Sequence, residues 1–450
     1  MGHHDVSPRR DSAIDSLITD LGHIGLLVVL ALVFLLGSGL WIAVALLGTA
    51  MVIFLVATNA PAGTIMATSI WGGSASWTLT ALPLFVWMGE ILFRGRLSEE
   101  MFRGIAPWLN RLPGRLLHVN VIGCGIFAAA CGSSAATMAT IGRISLPELD
   151  KRGYNPSIAM GSLAGAGTLG IMIPPSITFI VYGVSAEVSI ARLFAAGILP
   201  GVLLMVLFMG YIAIWALVNP AKMPPADPSV PFLEKIRRGR YLIPICVLIA
   251  LVIGSIYTGI ATPTESAAIG VAGALGLSAL SGTLNWKTFL ASVQEATRTS
   301  CMIAFIIMGS IFLSAALDFT GLPQWLAKFI SSFELSAYGL LAVLMVLFVL
   351  LGSVLEGVSI VVLASSLLLP TVQAAGIDLI WFGVYMVLLV EMSMVSPPVG
   401  LNLFVMQLMS GCSLGFISRA VLPFFGLMIA AVVILVAFPQ IATYLPSKLF

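Results

Sequence analysis

LLHVNVIGCGIFAAACGSSAATMATIGRISLPELDKR, residues 116–152, is the stretch on which the fold turns. Its apolar part, 116–149, is nearly twice the length of one membrane crossing, since a helix needs about 20 residues at about 1.5 Å each to cross about 30 Å of hydrocarbon. Nothing polar interrupts it for long enough to reach water. Arg94, Arg96, Arg103, Arg111 and Arg115 precede it, and Lys151 and Arg152 follow directly. Basic residues gather on the cytoplasmic side. A single crossing would strand Lys151 and Arg152 outside, whereas a re-entrant helical hairpin keeps both groups inside. Backbone that turns at membrane depth is tolerated only against protein or a wet cavity. The tip, Gly132-Ser133-Ser134, is therefore expected to line a site.

The pattern recurs downstream. Pro174-Pro175 and Pro397-Pro398 are 397 − 174 = 223 residues apart. The same offset maps Leu146-Pro147 onto Leu369-Pro370, Gly153 onto Gly376, and the hairpin centre onto Leu355-Glu356-Gly357. A slightly shorter offset relates Met88-Gly89 to Met308-Gly309. Proline pairs alone could recur by chance. Several features sharing one offset, in segments of matching length, point to two copies of one unit, 79–218 and 299–439. Each copy holds a hairpin segment (116–149, 337–371) and a helix broken at Pro-Pro (157–196, 381–411). With the basic residues of 219–240 and of loop 281–298 placed inside, the second hairpin enters from the opposite face and the copies are inverted. Inverted repeats with discontinuous helices mark secondary transporters, whose solute and ion sites lie near the bilayer midplane.

Composition agrees. Of 450 residues, 59% are hydrophobic and 9% charged, with mean hydropathy +1.09. A soluble domain carries about 25% charged residues. Soluble enzymes, nucleic-acid binders and disordered scaffolds are excluded, which leaves an all-α polytopic membrane protein. A net charge of +2 offers no basic excess for nucleic acid. The five cysteines read as small core residues, and no Cys/His spacing suits a transition metal. Residues 1–23 read as a polar tail without a signal-peptide core, 24–78 as scaffold helices, 219–298 as a cytoplasmic loop with further scaffold helices, and 440–450 as a tail.

Small residues let a hairpin tip reverse and approach its neighbours closely. Serine hydroxyls and freed carbonyls are hard oxygen ligands suited to Na⁺, and half-helix ends add their dipoles. The partner of the first tip is Gly165-Ala166-Gly167-Thr168, just before Ile173-Pro174-Pro175-Ser176, where proline removes N–H donors. The sodium-binding candidates are thus Gly132, Ser133, Ser134, Gly167 and Thr168 in the first copy. In the second they are Gly352, Ser353, Glu356, Gly357 and Ser396. Any one of these glycines or serines could equally serve helix packing; the four elements jointly favour a site. Glu265 follows Thr262 and Thr264 and reads as a capped helix start. Glu391 reads either as a buried partner or as an ion ligand. Arg143 lies nine residues past Ser134, about 13 Å along a helix, where it either snorkels to the headgroups or meets an anionic solute.

Enzyme motifs are nearly absent. Gly411-Cys412-Ser413-Leu414-Gly415 matches Gly-x-Ser-x-Gly in letters only, and no histidine follows His118 to act as a base. No Gly-x-x-x-x-Gly-Lys-Ser/Thr is present for nucleotide phosphates. The chain reads as no enzyme and as needing no cofactor. An ion gradient or the solute's own would drive it.

Leu82-Pro83-Leu84-Phe85 with Gly89-Glu90, Leu112-Pro113-Gly114 and His118-Val119-Asn120-Val121 form the start of a familiar set. Gly132-Ser133-Ser134-Ala135-Ala136-Thr137, Ile141-Gly142, Pro147-Glu148, Arg152-Gly153-Tyr154 and Gly167-Thr168-Leu169-Gly170-Ile171 with Ile173-Pro174-Pro175-Ser176 continue it. Ala196-Gly197-Ile198-Leu199-Pro200-Gly201, Thr262-Pro263-Thr264-Glu265 and Pro397-Pro398-Val399-Gly400-Leu401-Asn402 complete it. Together they resemble the large membrane subunit of tripartite ATP-independent periplasmic (TRAP) transporters, over nearly the whole chain after residue 24. The resemblance implies an elevator-type Na⁺ symporter in a bacterial inner membrane. Its partners would be a small four-helix membrane subunit and a periplasmic binding protein. The solute would be a small organic anion such as a carboxylate, sugar acid or sulfonate. The expected solute contacts are Ser134, Thr137, Arg143, Pro174, Pro175, Ser176, Pro397, Pro398 and Asn402. Departures from the family pattern are Leu389 where asparagine is frequent, Ser393 where glycine is, and Glu356 where aspartate is usual; they bear on the ligand set of the second ion site. The rival reading is a one-component Na⁺/dicarboxylate symporter of the same architecture.

Overall fold

The computed structural model describes residues 9–95, 97–225, 231–332, 336–352, 355–396 and 400–450. Every regular element among the described residues is helical. The chain divides into two compact units. The first runs to Ser76 and includes Met302–Leu340 and Val362–Ile377; the second comprises Trp77–Cys301, Leu341–Val361 and Asp378–Phe450.

In the first unit, Ile42–Ala57 buries Ala43, Leu46, Ala50, Ile53 and Phe54. Phe54 stacks on Phe312 with ring centroids 5.3 Å apart. Gly309 allows a close helix approach there, since a methyl group on it would lie 2.8 Å from the Ala43 carbonyl oxygen. Small residues play this part between membrane helices, where apolar transfer gives no net drive to associate.

The second unit holds the long segments 116–149, 157–196 and 381–411 and the middle part, 341–361, of 337–371. Residues 116–149 form two helices, Leu117–Cys131 and Ser134–Lys151, with a sharp turn at Gly132-Ser133. Gly132 has φ +66°, a left-handed conformation open to glycine at little cost. Ser133 is extended, and its hydroxyl accepts the Ala136 N–H as an N-cap. The next segment is Pro156–Gly167, Leu169–Met172 and then Ile177–Ser185. Its two parts meet at 42°, where Ile173 turns extended ahead of the two prolines.

Element boundaries recur at the spacing found in the sequence. Ser134–Lys151 and Gly357–Ala374 begin 357 − 134 = 223 residues apart and end 374 − 151 = 223 apart. Pro156 and Leu379, which open the next helices, are 379 − 156 = 223 apart. Asn155 and Asp378 cap those helices by accepting the Ser157 and Trp381 N–H groups. Leu379–Met394 leads through a break to Leu401–Ser410.

Burial separates core helices from lipid-facing ones. Every residue from Trp381 to Met394 is buried, as are Ile158–Gly167 and Leu169–Met172. Helices apolar and buried all round belong to the interior of a large assembly or a membrane bundle. Ile190–Val218 instead buries Leu204, Phe208 and Ile212 and leaves Val206, Ile214 and Leu217 outside. Such an outer face suits lipid. Among the described residues five helices are long and apolar enough to cross a membrane, or up to seven if bent pairs count as single spans. The protein is a multi-pass membrane protein.

Several sequence expectations are corrected. Residues 190–196 do not belong to the broken helix 157–196; they open Ile190–Val218, which Ser189 caps and which passes through Pro200 unbroken. One proline removes one donor without ending a helix whose neighbours pack around it. The basic stretch 94–115 contains the helix Leu97–Leu109, and 219–240, part of the expected cytoplasmic loop, contains Phe232–Gly239. Loop 281–298 is helical from Trp286, in a helix that continues to Thr320. The tail 440–450 contains the helix Gln440–Leu449. A helix with one polar face has low mean hydropathy and looks like a loop to a hydropathy reading. Cys246 and Cys301 are exposed rather than core, while Cys124 and Cys131 are buried; hydropathy does not distinguish lipid-facing from core positions. Glu265 is the capping-box residue expected of it, its carboxylate accepting the Thr262 N–H at 2.8 Å.

The paired N-caps give a test. Asn155→Ala and Asp378→Ala each orphan a helix N–H and should each lower stability by about 1 kcal/mol. Thermal unfolding of the detergent-solubilised chain should show comparable shifts for the two variants and none for the exposed helical substitution Arg298→Ala.

Candidate ion and solute site

The hairpin turn lies directly against the proline break. A methyl group on Gly132 would sit 2.9 Å from the Pro175 carbonyl oxygen and 3.3 Å from the Ile177 nitrogen. One on Gly170 would sit 2.5 Å from the Ser133 carbonyl oxygen. Backbone thus meets backbone at the point where both segments leave helical geometry, which gives the chain a reason to carry glycine at both places. Gly167 packs on the Met138 side chain, whose Cβ would lie 2.6 Å from a methyl group there.

The break is partly self-satisfied. The Ser176 hydroxyl donates to the Ile171 carbonyl and accepts the Phe179 N–H. Thr168 Oγ1 donates to the Gly165 carbonyl at 2.8 Å. Buried polar groups need such partners, and these bonds hold the hydroxyls in place beside the turn.

The central contact joins the two copies. Asn402 Nδ2 donates to Ser134 Oγ at 2.6 Å. Both side chains are buried, one at the start of the second hairpin helix and the other at the start of the helix after the second break. Next to this bond two oxygens have no hydrogen-bond partner among the described residues, Asn402 Oδ1 and Thr137 Oγ1 one turn along from Ser134; the hydroxyls of Thr140 and Ser145, also unmet, lie about 9 and about 16 Å from Ser134 along the same helix. Leaving such a group unmet typically costs about 1–3 kcal/mol. Unmet oxygen acceptors are the donor set that a hard cation takes, and hydroxyl and amide groups can also bond a carboxylate or sulfonate.

The second copy repeats the packing. Gly352 lies so close to Ser393 that any side chain on it would overlap the serine. A methyl on Gly357 would lie 2.9 Å from Val390. Ser396 Oγ donates to the Ser393 carbonyl at 3.0 Å, and Ser393 Oγ donates to the Val390 carbonyl at 2.7 Å. Glu391 is fully buried, and neither carboxylate oxygen has a partner among the described residues. Ser353, Pro397 and Pro398 lie outside the described residues.

The structure therefore brings together Gly132, Ser133, Ser134, Thr137, Pro175, Ser176 and Asn402, and separately Gly352, Gly357, Ser393 and Ser396. Arg143 stands apart. It is exposed, its guanidinium 5.6 Å from the centre of the Phe93 ring, and it lines a cavity of about 740 Å³ with Asp150, Tyr154, Met409 and Ser410. Glu356 is half-buried beside the second turn. The sequence reading did not choose Glu391 for the site, although an acidic residue inside an apolar helix is itself a signal of function. Thr140 and Ser145 gave no signal beyond sharing a helix with Ser134.

The chain as a whole is similar to known transport proteins. Residues 27–441 match the family model described as the tripartite ATP-independent periplasmic transporter, DctM component. The C4-dicarboxylate TRAP transporter large permease protein DctM of Pseudomonas aeruginosa is 32% identical over 389 residues, covering 85% of this chain and 90% of that one. The isethionate TRAP transporter permease protein DctMQ of Oleidesulfovibrio alaskensis is 31% identical over 82% of this chain and 58% of that one. Among solved structures, the YdaH transporter of Alcanivorax borkumensis shares the fold with a TM-score of 0.58 at 13% identity, covering 89% of this chain and 97% of that one.

Close backbone contact makes a size prediction. Gly170→Ala should cost about 1–3 kcal/mol through overpacking against Ser133. Gly426→Ala, on a helix face with open space around it, should be neutral or stabilise by up to about 1 kcal/mol. Thermal unfolding in detergent reads both; equal shifts would mean that turn and break are not in contact.

Proposed function

The chain belongs to the DctM family of tripartite ATP-independent periplasmic transporters, and we propose that it is the large permease subunit of a Na⁺-coupled importer for a small organic anion. In this reading it sits in a bacterial inner membrane beside a small membrane subunit. A periplasmic binding protein delivers the solute. The two hairpins are re-entrant, the repeats are inverted, and hairpins and broken helices travel together as an elevator.

The observation that carries the proposal is the buried Ser134–Asn402 bond with its unmet oxygens. It ties the first turn to the second break, so one ligand there touches both copies. Na⁺ would be held by hydroxyl and carbonyl oxygens around Gly132, Ser133, Ser134, Gly167 and Thr168, and a second Na⁺ around Gly352, Gly357 and Ser396. The solute's anionic group would meet Ser134, Thr137, Ser176 and Asn402. Arg143, in its cavity toward Lys151, would meet the anion on the cytoplasmic side of the centre rather than hold it there. Relatives named for a C4-dicarboxylate and for isethionate support an anion with a carboxylate or sulfonate group.

Energy suffices without a nucleotide. One monovalent cation moving down 100 mV gains about 2.3 kcal/mol, and a tenfold concentration ratio adds about 1.4 kcal/mol. Two Na⁺ would supply roughly 7 kcal/mol, enough for about 10⁵-fold accumulation of a solute that carries no net charge cost of its own.

Uptake into proteoliposomes containing this chain, the small subunit and the binding protein tests the reading, with a panel of organic anions under an inward Na⁺ gradient. Ser134→Ala combined with Pro174→Ala should abolish Na⁺-dependent uptake while the protein remains inserted. Asn402→Ala alone should reduce uptake about tenfold or more, as expected where a buried polar partner is lost. Undiminished uptake by these variants, or uptake indifferent to Na⁺, would overturn the assignment.

A further inference from the structure

We propose that the face formed by Leu97–Leu109 and Phe232–Gly239 is a binding site for the headgroup of an anionic phospholipid. Arg103, Arg237, Arg238 and Arg240 line one pocket of about 280 Å³ together with Glu234 and Tyr241. Four guanidinium groups face one carboxylate, and Glu234 is already ion-paired with Arg238. The remaining arginines have no ion-pair partner among the described residues, and Arg240 lies over the Tyr241 ring at 5.3 Å. A planar fork of N–H donors matches phosphate oxygens.

The apolar side chains of the helix that carries Glu234, Arg237 and Arg238 select the kind of phosphate. Phe232 is 68% exposed, Leu233 79% and Ile236 50%. The Phe232 ring meets Trp108 edge-on at 6.1 Å. A soluble phosphate would neutralise the arginines and leave this apolar surface bare. A phospholipid covers both, with its headgroup in the arginine pocket and its acyl chains along the aliphatic and aromatic side chains. Phe232–Gly239 runs on through Arg240–Leu242 into Ile243–Tyr257, a stretch long and apolar enough to cross a membrane, so the arginines stand at the end of a membrane helix, and basic pockets beside membrane helices bind anionic headgroups.

The pocket is firmly built. A methyl on Gly104 would lie 2.9 Å from the Leu242 side chain and 3.4 Å from the Arg238 carbonyl oxygen, so the two elements touch closely enough to hold the arginines in register. Leu97–Leu109 leads through a short turn into Leu117–Cys131. A lipid held here anchors the segment from which the first hairpin starts. None of these residues belongs to the ion and solute site.

The test uses the full-length chain in nanodiscs of phosphatidylcholine doped with phosphatidylglycerol or cardiolipin, with retained lipid counted by native mass spectrometry. The wild type should retain the anionic lipid selectively over phosphatidylcholine. Arg103→Ala, Arg237→Ala and Arg240→Ala combined should weaken that retention by about a hundredfold, at about fivefold per arginine, while Arg298→Ala leaves it unchanged. The corresponding triple lysine variant should keep part of the preference, which separates loss of binding from loss of fold. Equal retention by wild type and the triple alanine variant overturns the proposal. Displacement of the lipid by millimolar inorganic phosphate overturns it too and makes the pocket a soluble-anion site, as does capture of an acidic peptide with no preference among lipids.

Discussion

Inside hydrocarbon a peptide group has no water to turn to, so every backbone N–H and C=O must find a partner within the protein. This constraint governs the whole second unit. A helix satisfies it automatically; a turn at Gly132-Ser133 or a break at Ile173–Ser176 does not. The chain answers by laying one irregular segment on the other. Ser133 and Ser176 cap the helices that restart after each interruption, and the glycines let the two irregular backbones approach within contact distance. In the first copy irregular structure is thereby gathered where the turn meets the break, and polar groups collect there.

The same logic explains why the central helices look as they do. Leu379–Met394 is buried on every side, so it gains nothing from an amphipathic pattern and carries almost none. Its polar exceptions are therefore informative. Ser393 spends its hydroxyl on its own helix, but Glu391 does not find a partner among the described residues. A carboxylate so placed is far costlier than a hydroxyl. It is retained one turn before the second break, the position at which a cation or a proton would offset that cost.

Much of this was legible in the sequence, because the signals were long-range and redundant. The spacing of 223 was visible in Pro174 and Pro397 and in Gly153 and Gly376, and it returns in helix boundaries and N-caps. Asn155 and Asp378 serve the same role with different side chains, which letter matching alone would not pair. The surface helices were missed because hydropathy averages over faces, and Phe232–Gly239 is apolar on one side and basic on the other. The exposed cysteines were misread for a related reason: position within an apolar segment says nothing about which direction a side chain faces. Within the site, Ser134 and Asn402 were each named from the sequence, but their contact was not, since no spacing rule links residues 268 apart.

That contact also limits what kinds of motion the geometry favours. A hydrogen bond between two buried side chains at 2.6 Å holds only if the hairpin helix and the helix after the second break move as one piece. Sliding one past the other would strand Ser134 Oγ and Asn402 Nδ2 in apolar surroundings, at a cost comparable to that of any unmet buried polar group. Hinging within the site would do the same to the turn and the break, whose backbones touch without intervening side chains. A transporter built this way is best served by keeping its ligand cage intact and carrying it as a body, which is the physical content of the elevator proposal. The flexible elements then have to lie outside the cage. Arg143 fits that division: it is exposed and lines a separate cavity with Asp150 and Tyr154, outside the contact between Ser134 and Asn402.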